Sequence, residues 1–554
     1  MFYQSLARWR KVGGFSFRAP SLFREAAAVL GAREKTAWAQ SSPLVLVGVL
    51  LVYSTSIGQI RTADVVLLNG HIRTLDRLKP TAEALAVSDG RFIAVGTNEQ
   101  IRPFAGEKTK VIDAKGRLVL PGFNDAHVHF AAVGNKFSSI DLRSTRSVGE
   151  IASKIAEYVR FLPKGRWVLG GGWNEEIVRN GGLSREAIDS IAPEHPVFIY
   201  SSNSQSAIAN RVALAEARIT ALTPSPSGGE IGRFPNGEPN GILTGSAVNI
   251  VASIVPADHA RIWSEVLETA TNYAASLGVT SVQDVHSDEL DDLYRELNRI
   301  GKLKTRIYDC APIGSAAKLA TVGTKAATGD AMVRTGCVKY FSDGDEAEAD
   351  EIQRKVAYAD KTGLQVMVHA IGGRANAIVL NAFEAAIREN GPRDRRFRVE
   401  HAAGFSMADL GRYKRANIIL SMQPILFFNE GIGVADNFRQ LLDSGVPLAF
   451  GADAPMRGFN PLEGIFAAVN AGGRRGISVE EAVYAHTLGS AYAEFQEKEK
   501  GSIEAGKLAD FVLLSDNIFE DVKNIRSAKV VATVVNGLVV YENTEGPLLR
   551  KTSQ

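Results

Sequence analysis

The sequence predicts an α/β protein: a parallel (β/α)8 barrel, a β-sandwich formed from both chain ends, and a large cap inserted after the first barrel strand. Three observations carry this prediction. Eight short apolar runs alternate with helix-patterned segments through the middle of the chain. Both ends carry β-rich runs broken by Asn69-Gly70, Asp89-Gly90 and Asn536-Gly537, which are hairpin turn signals. About 150 residues separate the first apolar run from the second, far more than one helical crossover needs. The bulk composition agrees. A chain of 554 residues exceeds one ordinary domain, and 45% hydrophobic residues suit a packed core. Lys+Arg of 63 against Asp+Glu of 61 leaves a net charge of +2, so no global charge argues for nucleic acid as a partner. Cys310 and Cys337 are the only cysteines, which excludes a disulfide framework and a zinc site built on cysteine alone.

Taken in chain order, residues 1–60 stand apart. Arg8, Arg10, Lys11, Arg18, Arg24, Arg33 and Lys35 precede an uncharged stretch from Thr36 to Ile60. Inside it, Leu44–Tyr53 is almost wholly apolar, and small residues follow. A basic flank, a short apolar run and small residues make an export-signal pattern, while a membrane span needs about 20 apolar residues. The expectation is therefore a signal peptide or N-terminal membrane anchor, and an exported protein (periplasmic or membrane-anchored) rather than a cytoplasmic one. Residues 61–120 and 501–554 are assigned to the β-sandwich. The barrel occupies 121–500, with strands expected at Leu118–His129, Val279–Val285, Thr305–Ala311, Cys337–Asp343, Gln365–Ala370, Arg398–Ala402, Ile418–Pro424 and Pro447–Pro455. Helix patterns such as Ile262–Leu277 and Ala375–Glu389 lie between them. An open doubly wound sheet is the competing architecture. The cap is expected at about 131–262, with Gly170–Gly172 as a turn beside Trp173 in the pocket wall and not as a phosphate loop, since the lysine and spacing of a P-loop are missing.

The chemistry-bearing residues sit at the ends of the expected barrel strands. His127 and His129 are two apart in a strand, so both face one side, as a pair of metal ligands would. Lys339 lies in a strand that should be buried on both faces, and a buried lysine must be paired, neutral or modified. Its neutral form can take up carbon dioxide, and the carbamate oxygens could bridge two ions. His369 and His401 each close an apolar run one βα unit apart. Asp453 ends another; it reads either as a helix cap or as a metal ligand that takes a proton from water. His286 follows the second barrel strand and reads equally as a pocket or a surface residue. Cys337 shares the face of Lys339 and reads as a packed thiol. The acidic run Asp343–Glu351 reads as a solvated loop near the site.

These residues, in the motifs PGFNDAHVHF, LGVTSVQD, VKYFSDG, VHAIGGRAN, VEHA, SMQP, FGADAPM, NPLEGIFAAVN and GSIEAGKLADFVLL, resemble the amidohydrolase superfamily, most closely its amidohydrolase-3 (YtcJ-like) branch. The resemblance covers about residues 61–545. It implies a metal-dependent TIM barrel and hydrolysis of an amide or other non-peptide carbon–nitrogen bond by metal-bound hydroxide. It implies that His127 and His129 bind a first ion and His369 and His401 a second. Lys339, carboxylated, bridges them, and Asp453 binds metal and acts as general base. Two zinc ions are the expected cofactor, with a single ion, or Fe, Mn or Ni, as alternatives. The branch's usual substrate-contacting motifs are replaced by Asn203-Ser204-Gln205-Ser206, by Ile242-Leu243-Thr244-Gly245 and by Gly372-Gly373-Arg374-Ala375, and its histidine after SMQP by Leu426. Trp173, Gln205, His286 and Arg374 are the candidate substrate contacts. The partner expected is a small-molecule substrate and not nucleic acid, and the chain is expected to be a homo-oligomer, a dimer. An esterase or deacylase at the same site, and a non-catalytic binding or scaffold protein of this fold, are the other readings.

Overall fold

The computed structural model describes residues 62–550 apart from 136–138, 175, 178–183, 203–204, 256–258, 287–289, 343, 427–437, 457, 472–474 and 544–548. The expected export segment, Asn203, Ser204 and Asp343 lie outside the described residues.

The β-sandwich draws on both ends of the chain. One sheet runs in the order Leu549–Arg550, Lys110–Asp113, Val65–Leu68, Ala84–Ser88, Arg91–Gly96. The other runs Leu538–Glu542, Val530–Val535, Phe511–Leu514, Leu118–Pro121, His71–Arg73, Thr81–Ala82. Val65, Leu67, Leu85, Val87 and Phe92 of the first meet Val119, Phe511, Leu513 and Val534 of the second in one buried cluster. Alternation of apolar residues along each strand makes this inner face.

The barrel strands, in chain order, are β1 (Phe123–Val128), β2 (Val279–Val285), β3 (Arg306–Pro312), β4 (Val333–Ser342), β5 (Gln365–Ile371), β6 (Arg398–Ala403), β7 (Ile419–Met422) and β8 (Leu448–Phe450). They pair in sequence, all parallel. The seam between β8 and β1 is nearly closed. Just past β8, the Asp453 N–H donates to the His127 carbonyl at 2.7 Å, and the His129 N–H donates to the Ala454 carbonyl at 2.9 Å. Helices that include His259–Ser276, Ala349–Lys361 and Gly373–Asn390 alternate with the strands. Val366 and Val368 of β5 belong to the same buried cluster as Val379 and Phe383, and Phe383 stacks on Phe397 with centroids 4.4 Å apart.

Two expectations are corrected. The run Leu118–His129 is two strands in two sheets, divided at Gly122. A Cβ there would lie 2.2 Å from Thr280 Oγ1, so only glycine lets the chain pass from sandwich to barrel so closely. Gly170–Gly172 is part of the strand Val168–Trp173 and not a turn. All three glycines have positive φ, and a Cβ on Gly170 or Gly171 would lie 2.3 or 2.0 Å from a neighbouring strand's carbonyl oxygen. That strand belongs to the cap, a six-stranded mixed sheet ordered Gly229–Arg233, Pro239–Gly245, Ser206–Ala209, Val197–Ser201, Val168–Trp173, Ile140–Asp141. The cap lies in the chain between β1 and the helix His259–Ser276, with its own buried clusters on the two faces of the sheet.

Candidate active site

The C-terminal ends of the barrel strands bring all six predicted residues into one cluster. His127 Nε2 and His129 Nε2 each lie 3.5 Å from Asp453 Oδ1. One ligand atom from each of these three residues lies within 4.8 Å of the others. Lys339 Nζ is 3.5 Å from His127 Nε2. The His401 ring sits 4.9 Å from that of His127 and 4.4 Å from that of His369.

Local backbone geometry explains how adjacent positions reach one place. In β4 and β5 the two-residue period aims Lys339 and His369 inward. In β6 that period alone would send His401 outward, because Glu400 already faces in. His401 and Ala402 have φ of 68° and 51°, and this left-handed turn re-aims the imidazole toward His127. Asp453, with φ of 54°, is turned in the same way. Non-glycine residues in this region carry strain of about 1–3 kcal/mol, which collects at functional sites.

The partners of each imidazole fix which nitrogen is offered. His127 Nδ1 is 2.5 Å from Glu400 Oε2, so its N–H is on Nδ1 and the Nε2 lone pair faces Asp453 and Lys339. Arg398 holds Glu400 in turn, donating to Oε1 at 2.8 Å and to Oε2 at 3.2 Å. The same guanidinium donates to Gln283, the Ala126 carbonyl and Ser421. His401 Nδ1 meets Gln423 Oε1 at 2.7 Å, and the His129 ring bonds the Val285 carbonyl. The sequence reading missed Glu400, Arg398, Gln423 and Gln283. An Arg-x-Glu pair in a strand buried on both faces was the available signal for the first two.

Burial sets the charge states. It lowers His127 to about 3, with Lys339 adding to the effect, and it lowers His129 and His401. These three imidazoles are therefore neutral electron-pair donors. Burial raises Asp453 to about 6, Lys339 pulling it down and Glu400 pushing it up. It lowers Lys339 to about 8. Among the described residues the Lys339 ammonium meets His127 and the face of Phe341, 4.6 Å away, and no carboxylate. Glu400 is opposed by burial but held well below the usual carboxylate range by Arg398 and His127. Neutral imidazoles with a carboxylate form a donor set that fits a divalent cation such as zinc.

The candidate substrate contacts are less uniform. Trp173 is fully buried in the cap core, with its indole N–H on the Ile199 carbonyl at 3.4 Å, so its bulk stabilises the cap instead of lining a pocket. His286 shares a parity with Asp284, whose carboxylate binds Tyr294 of the helix Asp291–Arg299 outside the barrel. Its Nε2 is 2.5 Å from Asp309 Oδ1, which ties it to β3. Gln205 is exposed beside the cap strand Ser206–Ala209. Arg374 is exposed in the first turn of the helix after β5. Cys337 and Cys310 are in-register neighbours on β4 and β3, buried below the ligand layer with Tyr308 and Met367.

Known proteins resemble this chain in sequence and fold. A profile of the amidohydrolase family matches residues 110–541. The chain belongs to the amidohydrolase family. It is 32% identical over 534 residues to Protein LONG AFTER FAR-RED 3 of Arabidopsis thaliana, covering 86% of this chain and 92% of that one. It is 29% identical to the N-substituted formamide deformylase of Arthrobacter pascens, covering 87% and 99%. Among solved structures, an uncharacterized metal-dependent hydrolase from Pyrococcus furiosus superposes with a TM-score of 0.57 at 26% identity, covering 82% of this chain and 99% of that one. Membership of this family makes the chain an amidohydrolase-fold hydrolase with a place for metal at the barrel mouth.

Proposed function

We propose that this hydrolase cleaves a carbon–nitrogen bond of a small amide, with Asp453 handling the proton. The observation that carries the reading is the convergence of His127, His129 and Asp453 within 4.8 Å at the barrel mouth. The likeness to an enzyme named for deformylating N-substituted formamides supports an amide-type substrate. In this reading His127 and His129 would hold one ion and His369 and His401 a second, and Lys339, carboxylated, would add an oxygen ligand. Divalent zinc, when bound, supplies Lewis-acid activation of water and polarises the substrate carbonyl.

The chain's own residues do the rest. Asp453, with its carboxyl near 6, is ionised at neutral pH yet basic enough to accept a proton from the attacking water. It then returns that proton to the leaving nitrogen. Glu400 and Gln423 hold the His127 and His401 rings so that Nε2 stays turned to the site. Lys339 is buried, and burial lowers its ammonium to about 8, which raises the share of free amine, the form that reacts with carbon dioxide.

The test uses metal-loaded protein and a panel of amides, N-acyl amino acids, carbamates, ureas and esters. Amides should be turned over, and Asp453→Asn should lower kcat by about 10²–10⁴-fold while most metal remains bound. Undiminished turnover in that variant contradicts the assignment, and metal-loaded protein inert toward every substrate favours a scaffold role.

A further inference from the structure

Large apolar side chains gather around the mouth of the site although they are open to solvent. Phe341 is 56% exposed, Ile371 45% and Met456 70%. Isolated exposed apolar residues are ordinary, and Leu78, Leu222 and Val322 sit on separate bends and turns. The three at the mouth are different, because each lies within three residues of a candidate ligand. Exposed apolar groups bordering a polar cleft mark ligand-binding surfaces.

The pleat explains their position. On β4, Cys337, Lys339 and Phe341 share a face; on β5, Met367, His369 and Ile371 do. Cys337 and Met367 pack together inside the ring of strands. Lys339, in register with Met367, comes next up β4, and His369 next up β5, with Phe341 and Ile371 following them in the two inward rows. Phe341 stands in register with His369, with ring centroids 5.8 Å apart. Met456 follows Asp453 in a turn past β8, its N–H donating to the Asp453 carbonyl at 3.2 Å. The lip beyond Phe341 carries exposed Asp345, Glu346, Asp350 and Glu351, against exposed Arg354 and Lys355 on the same helix as the last two, where Lys355 pairs with Glu351 at 2.5 Å, and exposed Arg374 on the neighbouring helix. Asp345 and Glu346, nearest Phe341, oppose an anionic ligand there.

We propose that Phe341, Ile371 and Met456 form an apolar rim that grips a substituent of the substrate, so that the enzyme prefers neutral amides bearing an aryl or branched-alkyl group over small or anionic amides. This specificity rests on the amide-hydrolase reading above. A well-placed apolar contact discriminates by about 10–200-fold in kcat/KM. That range is enough for two or three such side chains to set the substrate class.

The experiment compares N-phenethylacetamide, N-methylacetamide and N-acetylglycine on the metal-loaded full chain, with release of amine as the readout. N-phenethylacetamide should exceed N-methylacetamide in kcat/KM by at least about tenfold, with N-acetylglycine poorest. Phe341→Gln and Ile371→Ala should each shrink the phenethyl-to-methyl ratio by about tenfold, and Phe341→Leu should retain most of it. General damage to the fold would lower both rates and leave the ratio in place. A ratio near one, a ratio untouched by both substitutions, or a preference for N-acetylglycine overturns the proposal. Calorimetric binding of N-phenethylacetamide to the Asp453→Asn protein separates the two readings. Binding that Phe341→Gln weakens supports the rim even without turnover, whereas no binding and no turnover overturns it.

Discussion

Glu400 decides which nitrogen of His127 faces the ligand cluster. Its carboxylate is fully buried, 2.5 Å from Nδ1 and clamped by Arg398. Glu400→Gln removes the charge with little change in shape. Metal affinity should fall by about 10–100-fold, as for other partners of ligating histidines. Leaving Arg398 without its anion should also cost about 3–5 kcal/mol of stability. Metal titration and thermal unfolding of the same variant read both effects, and unchanged affinity would show that Glu400 does not orient His127. At this scale the sequence was informative where spacing suffices. His127 and His129 are read from a two-residue interval, and Lys339 and His369 from their places at strand ends. The inward aim of His401 depends on a left-handed φ that no spacing reveals.

The barrel strands were legible as a set because each is a short apolar run followed by a helix pattern. Their boundaries were not. Gly122 splits what reads as one run, since its role is a close approach to Thr280, a residue more than 150 positions away. Trp173 looked like a pocket residue because a large aromatic next to three glycines suggests a loop. The glycines instead allow close packing of cap strands, and the indole fills the core behind them. Gly451 plays the corresponding part at the barrel seam. A Cβ there would lie 2.4 Å from the His127 backbone nitrogen and 2.7 Å from Asp125 Oδ1. Gly451→Ala should therefore displace β1 from β8, destabilising the protein by about 1–3 kcal/mol. It should also lower metal occupancy, because the displaced strand carries His127. Unfolding temperature together with metal content checks this, and a variant equal to wild type in both would mean that the seam tolerates the methyl group.

Across the whole molecule, buried titratable groups predict a loss of stability in acid. His486 is fully buried, its ring nitrogens have no hydrogen-bond partner among the described residues, and burial lowers it to about 3. The unfolded chain takes up a proton near pH 6.5 that the folded chain refuses. Stability from this group is thus complete above about pH 6.5 and falls as the pH drops toward 3. Glu494 and Asp510 act in the same direction at lower pH. Burial opposes their ionisation, but Lys500 and Arg334 hold the first below its usual value and Arg306 the second. Their contribution is present above about pH 4 and lost as they protonate below it. Burial raises Asp125 to about 7 and Asp284 to about 6, which works the other way between about pH 4 and 7. His486→Leu removes one of these terms alone. Its unfolding temperature should rise relative to wild type more at pH 5 than at pH 8, and an equal difference at both would refute neutral burial of His486. In the function proposed above, the cluster of imidazoles, Lys339 and Asp453 works by holding metal for hydrolysis. The most direct measurement is amide turnover alongside metal content during chelation and zinc restoration. Activity should fall to background as metal is removed and return in proportion to the zinc regained. Full turnover by metal-free protein would contradict that role.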